Sequence, residues 1–406
     1  MNVLVINCGS SSLKYELFDM TTEQSLADGT AQRVSVDGGA EAELEHRPAD
    51  GEAYHLQAAI PDHRVALRHA MAALTDDHHG VIGSLGEIAA VGHRVVHGGE
   101  KFAESVIIDD QVERAIEQFC ELAPLHNPAN LTGIRACTEL LPEVPQVAVF
   151  DTAFHQTMPR HAYIYGLSLE IYRDHQVRRY GFHGTSHRYV ALRAGEFLAA
   201  AGIPEAEQKF ITCHLGNGCS MTAIRAGQSV DCSLGMTPLE GLLMGTRCGD
   251  LDPAIVIFLM ERLGLDTDEV DDLLNKRSGL LGVSGVSSDI RDVHKAADAG
   301  NDRAALALDI FCYRVRKYTG AFAAVLGGLH AIIFTGGIGE NDARVRARCV
   351  EGLDHLGLHV DAARNDAPRF DDGIAEVGSP QATATMLAIR TDEELMIARD
   401  TASLLG

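Results

Sequence analysis

Residues Phe210 to Gly227 read Phe-Ile-Thr-Cys-His-Leu-Gly-Asn-Gly-Cys-Ser-Met-Thr-Ala-Ile-Arg-Ala-Gly, which is the pattern of two strands joined by a tight bend. The apolar run at the start and the alternation at the end predict the strands, while Gly216 and Gly218 predict the bend. Glycines let backbone N–H groups approach a bulky anion, because no Cβ stands in the way. Taken alone, the segment fits a phosphate-binding hairpin and an ordinary Gly-Asn-Gly turn equally well.

Two further segments share this plan. Val3 to Asp19 reads as strand, Gly-Ser bend and returning strand, and its similarity to the first segment suggests an internally duplicated architecture. Ala331 to Asn341 is an apolar strand that runs into a third glycine-rich turn, and the helix-like pattern of Asp342 to Gly352 follows it. None of the three has the spacing of a P-loop or a full GxGxxG. The arrangement resembles that of the sugar kinase, Hsp70 and actin superfamily, in which a nucleotide lies in a cleft between two related domains.

Composition limits the classes of partner. The chain has 406 residues, 46% of them hydrophobic and 22% charged, which suits two domains of roughly 150 to 200 residues. Its formal net charge of −23 argues against nucleic acid or an anionic membrane as a partner, although a local cluster of Arg, His and metal can still hold a small anion. Nine cysteines without a CxxC pair and an N-terminus without a signal-peptide pattern favour a cytoplasmic protein.

Two charged residues stand at predicted strand ends. Arg94 lies in the segment Gly92 to Gly99, and a guanidinium there is suited to bidentate capture of a carboxylate or phosphate. Asp151 follows the apolar strand Val147 to Phe150, a common position for a catalytic carboxylate in an α/β sheet. The alternatives are a surface salt bridge for Arg94 and a simple turn residue for Asp151.

Other candidates lie at predicted helix starts and in loops. His183 precedes the helical pattern Arg188 to Ala200, for which Thr185 or Ser186 is the expected cap, and a helix start with an imidazole nearby suits an anion. The long irregular stretch from Gly235 to Pro253 carries Arg247, and such a connection is usually functional.

The later part of the chain reads mainly as helix. Helical patterns are expected over Ala254 to Leu263, Thr267 to Lys276 and Ala304 to Leu326. A polar loop, 282–292, offers Asp289 and Arg291 for a ribose and a base. Glu393 falls in the first turn of a C-terminal helix, where compensation of the helix dipole is the alternative reading.

Together these motifs resemble the acetate kinase family nearly end to end. The matching stretches, in family order, are Asn7–Lys14, Gly92–Gly99, Phe150–His155, Gly181–His187, His214–Gly218, Gly245–Pro253 and Gly336–Asn341. The resemblance implies an α/β fold of two duplicated sugar kinase/Hsp70/actin-type (RNase H-like) domains with an active-site cleft between them. The expected domains are 1–150, with the C-terminal helix 391–406 packing back on it, and a nucleotide-binding domain 151–390.

The resemblance also implies an activity: reversible phosphoryl transfer between ATP and acetate by a homodimer, with ADP and acetyl phosphate as products. Mg²⁺ is the implied metal, with Mn²⁺ as an alternative. Acetate is a weak nucleophile that is already ionised, so catalysis must come from positioning and from neutralising charge on the phosphoryl group in a direct in-line transfer.

Family roles carry over residue by residue. Asp151 matches the residue assigned as proton donor or acceptor, and His183 and Arg247 match those assigned to the transition state. Asn7 and Glu393 match the metal ligands, with Glu394 as the alternative register for the second, and His126 matches a supporting histidine. The acetate pocket is implied at Arg94, Val96, Leu125, Phe182 and Pro238. The nucleotide contacts are implied at Ser10, Ser12, Lys14, His214, Leu215, Gly216, Asn217, Gly218, Asp289, Ile290, Arg291, Gly337, Ile338, Gly339, Glu340 and Asn341.

Two other functions remain open from the sequence. A propionate kinase or another short-chain carboxylate kinase differs from the acetate enzyme by little, because one methylene in a pocket is worth only about 1 to 3 kcal/mol. Val96, rather than a smaller residue, favours acetate. An ATP-dependent chaperone or filament protein of the same superfamily would need a further domain or polymer contacts, for which the kinase pattern leaves little room.

Overall fold

The computed structural model describes residues 1–39, 41–124 and 126–406, together with their side chains except those of residues 37 and 38. The predicted pocket residue Leu125 therefore lies outside the described residues. The chain forms two compact units, one of Met1–Ala153 with Asp392–Gly406 and one of Phe154–Thr391. The domains 1–150 with 391–406 and 151–390, as functional divisions, stay a prediction.

The elements are numbered in chain order. The strands are β1 (Asn2–Cys8), β2 (Ser12–Asp19), β3 (Gln24–Gln32), β4 (Ala42–Pro48), β5 (Tyr54–Ala58), β6 (Ile88–Val95), β7 (Val106–Ile107), β8 (Gln146–Phe150), β9 (Lys209–Leu215), β10 (Cys219–Arg225), β11 (Gln228–Cys232), β12 (Ala331–Thr335), β13 (Ile374–Glu376) and β14 (Thr385–Ile389). The helices are α1 (His63–Leu74), α2 (Asp110–Gln118), α3 (Asn127–Leu140), α4 (Arg160–Tyr163), α5 (Leu169–His175), α6 (Gly184–Ala200), α7 (Ala254–Leu263), α8 (Thr267–Lys276), α9 (Gly279–Ser284), α10 (Ile290–Asp298), α11 (Asp302–Leu326), α12 (Gly336–Asn341), α13 (Ala343–Val350), α14 (Ala362–Asp366) and α15 (Glu393–Leu405).

Each unit contains one mixed sheet, and the two sheets share a topology. The first runs β5-β4-β3-β2-β1-β6-β8-β7 and the second β11-β10-β9-β12-β14-β13. In both, an antiparallel three-strand meander (β1–β3, β9–β11) is continued by two parallel strands (β6 and β8, β12 and β14) and an antiparallel edge strand. The β4–β5 hairpin is an addition to the first sheet. The duplication expected from the two hairpin sequences is confirmed.

The parallel strands are interior strands of each sheet. Every residue of β8 and β12 is buried, as expected for short apolar strands covered on both faces. The β1–β2 and β9–β10 hairpins bend at the predicted glycine-rich turns. As a result, each sheet carries a glycine-rich bend at the carboxyl end of its first strand.

Several local predictions are confirmed, and one cap prediction is wrong. Helices α7 and α8 span the predicted residues, and α11 starts at Asp302 because the Asn301 side chain accepts a hydrogen bond from Ala304 N. Thr185 and Ser186 do not cap α6, since both lie inside its first turn. His183 occupies the N-cap position instead, in the left-handed region with φ 56°.

Two predicted loops are partly helical. The turn expected at Gly336 to Asn341 closes into the short helix α12. In 282–292, α9 ends at Ser284 and α10 begins at Ile290, because the Asp289 carboxylate accepts a hydrogen bond from Arg291 N and caps α10. Among the described residues, no helix is long and apolar enough to span a bilayer.

Candidate active site

In the first unit, three predicted site residues lie at one edge of the sheet. Strands β1, β6 and β8 run parallel and adjacent to one another, so their carboxyl ends lie side by side. Asn7 is near the end of β1, Arg94 is near the end of β6, and Asp151 follows β8 directly. The topology thus brings together an amide, a guanidinium and a carboxylate from three separate strands.

Arg94 and Asp151 form a buried ion pair. Arg94 Nη2 lies 2.7 Å from Asp151 Oδ2, and their side chains are 18% and 1% exposed. Burial of the guanidinium opposes its charge, but the carboxylates of Asp151 and Glu393 outweigh that effect and raise the pKa of Arg94. The pair is therefore a buried ion pair and not an exposed surface salt bridge, while Asp151 also lies in the turn that follows β8.

Glu393 reaches the same group from the C-terminal helix. It lies in the first turn of α15, which packs on β6 and β1. The pKa of Glu393 is raised to about 7, mainly by burial and also by the Asp151 carboxylate, while Arg94 and Lys14 oppose the shift. Two carboxylates of like charge are therefore close to each other in the first unit.

This oxygen donor set fits a divalent cation. Mg²⁺ prefers hard oxygen ligands and is usually held by one or two carboxylates together with substrate phosphates, not by a full protein cage. Asn7 and Glu393 supply an amide oxygen and a carboxylate of that kind, and a cation would relieve the repulsion between Glu393 and Asp151. No group of three or more His, Cys, Asp or Glu side chains placed to hold a metal occurs in the described parts of the chain.

The β1–β2 bend carries the other predicted residues of this unit. Ser10 lies in the bend and Ser12 opens β2, where Gly9 N donates to Ser12 O over 2.9 Å. Lys14 pairs with Asn7 across the hairpin. Asn7, Ser10, Ser12 and Lys14 therefore lie together at the end of the β1–β2 hairpin.

Helix α3 holds the segment after β6. Val96 is buried and its N–H donates to Asn130 Oδ1 over 3.0 Å. His97 exchanges two backbone hydrogen bonds with the Asn127 side chain, each 3.0 Å. Sequence reasoning missed Asn127 and Asn130, and the only local signal was an asparagine beside His126, which stands at the N-cap of α3.

In the second unit, the glycine-rich bend lies beside the start of α12. Strands β9 and β12 are parallel, with His214 opposite Thr335, so the bend after Leu215 and the turn after Thr335 are neighbours. Gly336 adopts φ 75°, and a Cβ there would lie 2.8 Å from Leu215 O. Only glycine fits this approach without strain.

These turns line a cavity of about 850 Å³. It is lined by the predicted nucleotide residues Gly216, Asn217, Asp289, Ile290, Arg291, Gly337, Ile338 and Asn341. It is also lined by Ser288, Asp342, Ala343 and Arg344, which sequence reasoning missed. Ser288 is next to the predicted residue Asp289. The glycine-rich motif gave no reason to predict the residues at the start of α13 as part of a nucleotide site.

Five other predicted nucleotide residues of the second unit do not line this cavity. They are His214, Leu215, Gly218, Gly339 and Glu340. Glu340 turns toward the protein, where its Oε1 accepts hydrogen bonds from Gly336 N (2.9 Å) and Thr391 N (3.2 Å). Its carboxylate stabilises the turn, an arrangement that the Gly-Gly-x-Gly pattern did not indicate.

Asp289 and Arg291 pair with each other at the cavity wall. Arg291 Nε lies 3.0 Å from Asp289 Oδ1. This hydrogen bond, together with a second one from the backbone N–H of Arg291, lowers the pKa of Asp289 to about 2. The Arg291 side chain is 82% exposed. The carboxylate is therefore ionised and already serves as helix cap and ion-pair partner.

His183 and Arg247 converge on the glycine-rich bend. A Cβ built on Gly218 would lie 3.3 Å from His183 Nε2 and 3.6 Å from Arg247 Nη1. Arg247 Nη1 also donates to Pro238 O over 3.0 Å, and burial lowers the pKa of Arg247. The second unit thus brings an imidazole and a guanidinium to the same bend at Gly218.

Phe182 is buried beside His183. Its carbonyl accepts a hydrogen bond from His155 Nε2 over 3.1 Å, and Pro238 is half-buried in the irregular stretch that carries Arg247. Of the predicted acetate-pocket residues, Arg94 and Val96 thus belong to the first unit, and Phe182 and Pro238 to the second.

Comparisons with known proteins cover the whole chain. The profile of the Acetokinase family matches residues 2–399. The acetate kinase of Desulfitobacterium hafniense (strain DSM 10664 / DCB-2) is 56% identical over 405 residues, which cover 100% of this chain and 99% of the relative. The crystal structure of Porphyromonas gingivalis acetate kinase has a TM-score of 0.93 at 47% identity, covering 100% of both chains. A propionate kinase from Francisella tularensis subsp. tularensis SCHU S4 has a TM-score of 0.91 at 39% identity, covering 99% of both chains. The chain belongs to the acetokinase family.

Proposed function

We propose that this protein is an acetate kinase, which transfers a phosphoryl group reversibly from ATP to acetate to give ADP and acetyl phosphate by direct in-line transfer. The observation that carries the proposal is the buried Arg94–Asp151 pair at a sheet edge, because it presents a fixed guanidinium of the kind that captures a carboxylate. Membership of the acetokinase family supports the reaction.

In the first unit, Arg94 orients the acetate carboxylate and Asp151 holds Arg94. Asp151 Oδ2 accepts from Arg94 Nη2, which favours a positioning role over proton transfer, since ionised acetate requires no base. Val96 would bound the methyl group of acetate, and the assignment of Phe182 and Pro238 to the acetate pocket stays a prediction.

In the second unit, Arg247 and His183 act on the phosphoryl group. Their adjacent positions at Gly218 suit the neutralisation of charge on its equatorial oxygens, and removal of either donor is expected to lower kcat by about 10²-fold or more. Asn7 and Glu393 would hold Mg²⁺, or Mn²⁺ as an alternative. Bound there, the metal would supply charge neutralisation on the phosphates.

The nucleotide is assigned to the cavity between the β9–β10 bend, α10 and α12. Its glycine-rich walls offer backbone N–H groups to phosphates, and the Asp289–Arg291 pair, with its exposed guanidinium, lies at its rim. The remaining predicted contacts, Ser10, Ser12 and Lys14, belong to the β1–β2 hairpin and act on the phosphates in this proposal.

A propionate kinase is the second candidate, because a propionate kinase has nearly the same fold at 39% identity. The two substrates differ by one methylene, so only a small free-energy difference separates the two activities. The buried Val96 favours the smaller substrate.

A hydroxamate-trapping assay with ATP, Mg²⁺ and acetate, propionate or butyrate in parallel tests both candidates. Preference for acetate supports the proposal, and preference for propionate or butyrate transfers it to the second candidate. ATP hydrolysis without any acyl phosphate would contradict both kinase candidates and favour an ATP-dependent chaperone or filament protein.

We further propose a homodimer that associates through α7. Among the described residues, none of α7 is buried, and Ile257, Phe258 and Leu263 are 58%, 55% and 61% exposed. A largely uncharged helix face suits self-association in a chain of net charge −23, because like charges elsewhere repel.

The dimer is tested by the double substitution Ile257→Asp and Phe258→Asp. We expect light scattering to show a shift from dimer to monomer, with the control Leu192→Asp, at a side chain 48% exposed, remaining dimeric. An unchanged dimer in the double variant would place the interface elsewhere. The proposed setting is cytoplasmic, with no nucleic acid or membrane partner.

A further inference from the structure

Three side chains, Ser220, His187 and Thr212, form a hydrogen-bonded relay behind His183. His183 Nδ1 lies 2.8 Å from Ser220 Oγ, and Ser220 Oγ lies 2.7 Å from His187 Nε2. His187 Nδ1 in turn lies 2.7 Å from Thr212 Oγ1. His187, Ser220 and Thr212 are at most 1% exposed, so water does not compete for these bonds.

The elements of the second unit hold this chain in place. Thr212 and Ser220 are on the same face of the β9–β10 hairpin, where Thr212 pairs with Thr222 and Ser220 with His214. His187 is in the first turn of α6, which packs on β9, and His183 is its N-cap. The side-chain positions therefore follow from strand register and helix packing.

Hydrogen counting restricts the chain to two directions. Ser220 has one hydroxyl hydrogen, and within the described residues its Oγ bonds only to two imidazoles. If it accepted from both, its buried hydrogen would have no acceptor, so it donates to one imidazole and accepts from the other. Burial lowers the pKa of His187 well below its ordinary value, with His155 and His214 lowering it further, so His187 is neutral and has one N–H. All hydrogens along the chain therefore point either toward His183 or toward Thr212.

The Thr212 hydroxyl selects one of these directions. When the chain points toward His183, Thr212 donates to His187 Nδ1, His187 Nε2–H donates to Ser220, and Ser220 donates to His183 Nδ1. When it points toward Thr212, the buried Thr212 hydrogen needs another acceptor, and within the described residues its only recorded partner is His187. The adjacent Thr222 Oγ1 makes no hydrogen bond in the described structure. An unsatisfied buried donor is costly, so the first direction is favoured.

We propose that Thr212, His187 and Ser220 are positioning residues that hold His183 as the neutral tautomer with its hydrogen on Nε2. A neutral imidazole that accepts a hydrogen bond at Nδ1 carries its hydrogen at Nε2, which is the His183 atom that lies 3.3 Å from a Cβ built on Gly218. His183 then serves as a hydrogen-bond donor toward the phosphoryl group while Arg247 supplies the positive charge. This role of the donor rests on the proposed kinase function, but the tautomer itself does not.

The relay of Thr212, His187 and Ser220 also explains why the backbone of His183 is left-handed. A non-glycine residue at φ 56° is uncommon and is retained where surrounding contacts require it. The bond to Ser220 and the stacking of the His183 ring on His214, with centroids 4.4 Å apart, provide such contacts. The strained turn aims Nε2 at the bend of the hairpin.

The first test is ¹⁵N NMR of the full-length protein with ¹⁵N-labelled histidine, because protonated and unprotonated ring nitrogens have distinct shifts. The His183 signals are assigned by their loss in His183→Gln. We expect a protonated Nε2 and an unprotonated Nδ1 in the wild-type protein near neutral pH. A hydrogen on Nδ1 overturns the proposal, whether or not the protein makes acyl phosphate.

Variants separate the relay from general packing. Thr212→Val removes the selecting hydroxyl, so we expect a mixture of His183 tautomers and a loss of kcat on the order of 10-fold, the scale for partners that orient a functional histidine, with KM for acetate little changed. Thr212→Ser restores the hydroxyl and should recover the Nε2–H tautomer.

Thr222→Val is the matched control. It removes the neighbouring buried hydroxyl that lies outside the relay and should leave both the tautomer and kcat unchanged. Equal effects of Thr212→Val and Thr222→Val would overturn the proposal. A normal tautomer without any acyl phosphate in the trapping assay would instead reject the kinase function and keep the relay.

Discussion

At the scale of single residues, the first unit contains a carboxylate and a guanidinium whose charges would each be unfavourable there without the other. Asp151 is 1% exposed and Arg94 18% exposed, and each charge is tolerated there because of the other. Removal of one partner of such a pair lowers the free energy of unfolding strongly, since the remaining charge is left buried. The pair therefore couples folding to the proposed acetate site.

We predict that Asp151→Asn lowers both kcat/KM for acetate and thermal stability. The amide keeps the shape but removes the nearest charge that compensates Arg94, a loss of about 3 to 5 kcal/mol for a fully buried pair and less here because Arg94 is partly exposed and Glu393 remains. Trapping kinetics and urea denaturation measure the two effects.

The control for this prediction is an exposed pair of the same unit. Arg135 Nε lies 2.7 Å from Glu113 Oε1, with side chains 49% and 31% exposed, so Glu113→Gln should cost less than about 1 kcal/mol and leave kcat unchanged. Equal stability losses in the two variants would show that burial of the Arg94 pair adds nothing.

At the scale of elements, the irregular segment that carries Arg247 is closed at its base by one carboxylate. Asp250 Oδ1 accepts from Gly241 N over 2.9 Å, and Asp250 N donates to Gly241 O over 2.9 Å. Tyr318 on α11 donates to Asp250 Oδ2 over 2.9 Å. A helix of the second unit thereby anchors the loop whose tip carries Arg247.

We predict that Tyr318→Phe lowers kcat, because loss of its hydroxyl loosens the base of the loop and the alignment of Arg247. Small misplacements of a positioned group can be costly, and Asp250→Asn, which weakens the same contact, should act in the same direction. The control is Tyr313→Phe, at a tyrosine of α11 that is 60% exposed. A kcat for Tyr318→Phe equal to that of the control would contradict a role of the Tyr318–Asp250 contact in positioning Arg247.

At the scale of the whole molecule, the chain returns to its first unit at its end. Residues 392–406 group with 1–153, and α15 places Ile397 and Ala398, both nearly fully buried, against that unit. The contact with β6 is close enough to require a glycine. A Cβ on Gly92 would lie 2.5 Å from Thr401 Oγ1 and 2.7 Å from Ile397 Cγ2.

We predict that Gly92→Ala destabilises the protein by about 1 to 3 kcal/mol, the usual range for overpacking a close contact. Urea denaturation measures the change in the free energy of unfolding. Gly166→Ala is the control, because nothing lies within 4 Å of the added Cβ and the backbone there is not left-handed. A stability loss no larger than that of the control would mean that α15 can shift away from β6 at no cost.

Much of the fold was predictable because it depends on local patterns. Apolar runs and glycine bends identified both hairpins and the strand before Gly336, and helical periodicity located α7 and α8. The cap of α6 was not predictable in this way, since Thr185 and Ser186 are good capping residues by type but His183 takes the position through a left-handed turn. Type-based capping rules do not include the contacts that maintain such a turn.

The sequence by itself determined the fold class, the family and the residue types of the candidate site, because these are carried by short motifs whose order along the chain is specific. Only the tertiary structure decided which of those side chains meet and what each one touches. Glu340 turns to Gly336 and Thr391, Asp250 meets Tyr318, and Thr212 reaches His183 through two intermediates. The physical reason is that a hydrogen bond depends on distances within a few tenths of an ångström, and strand register and helix packing set those distances between residues far apart in the chain.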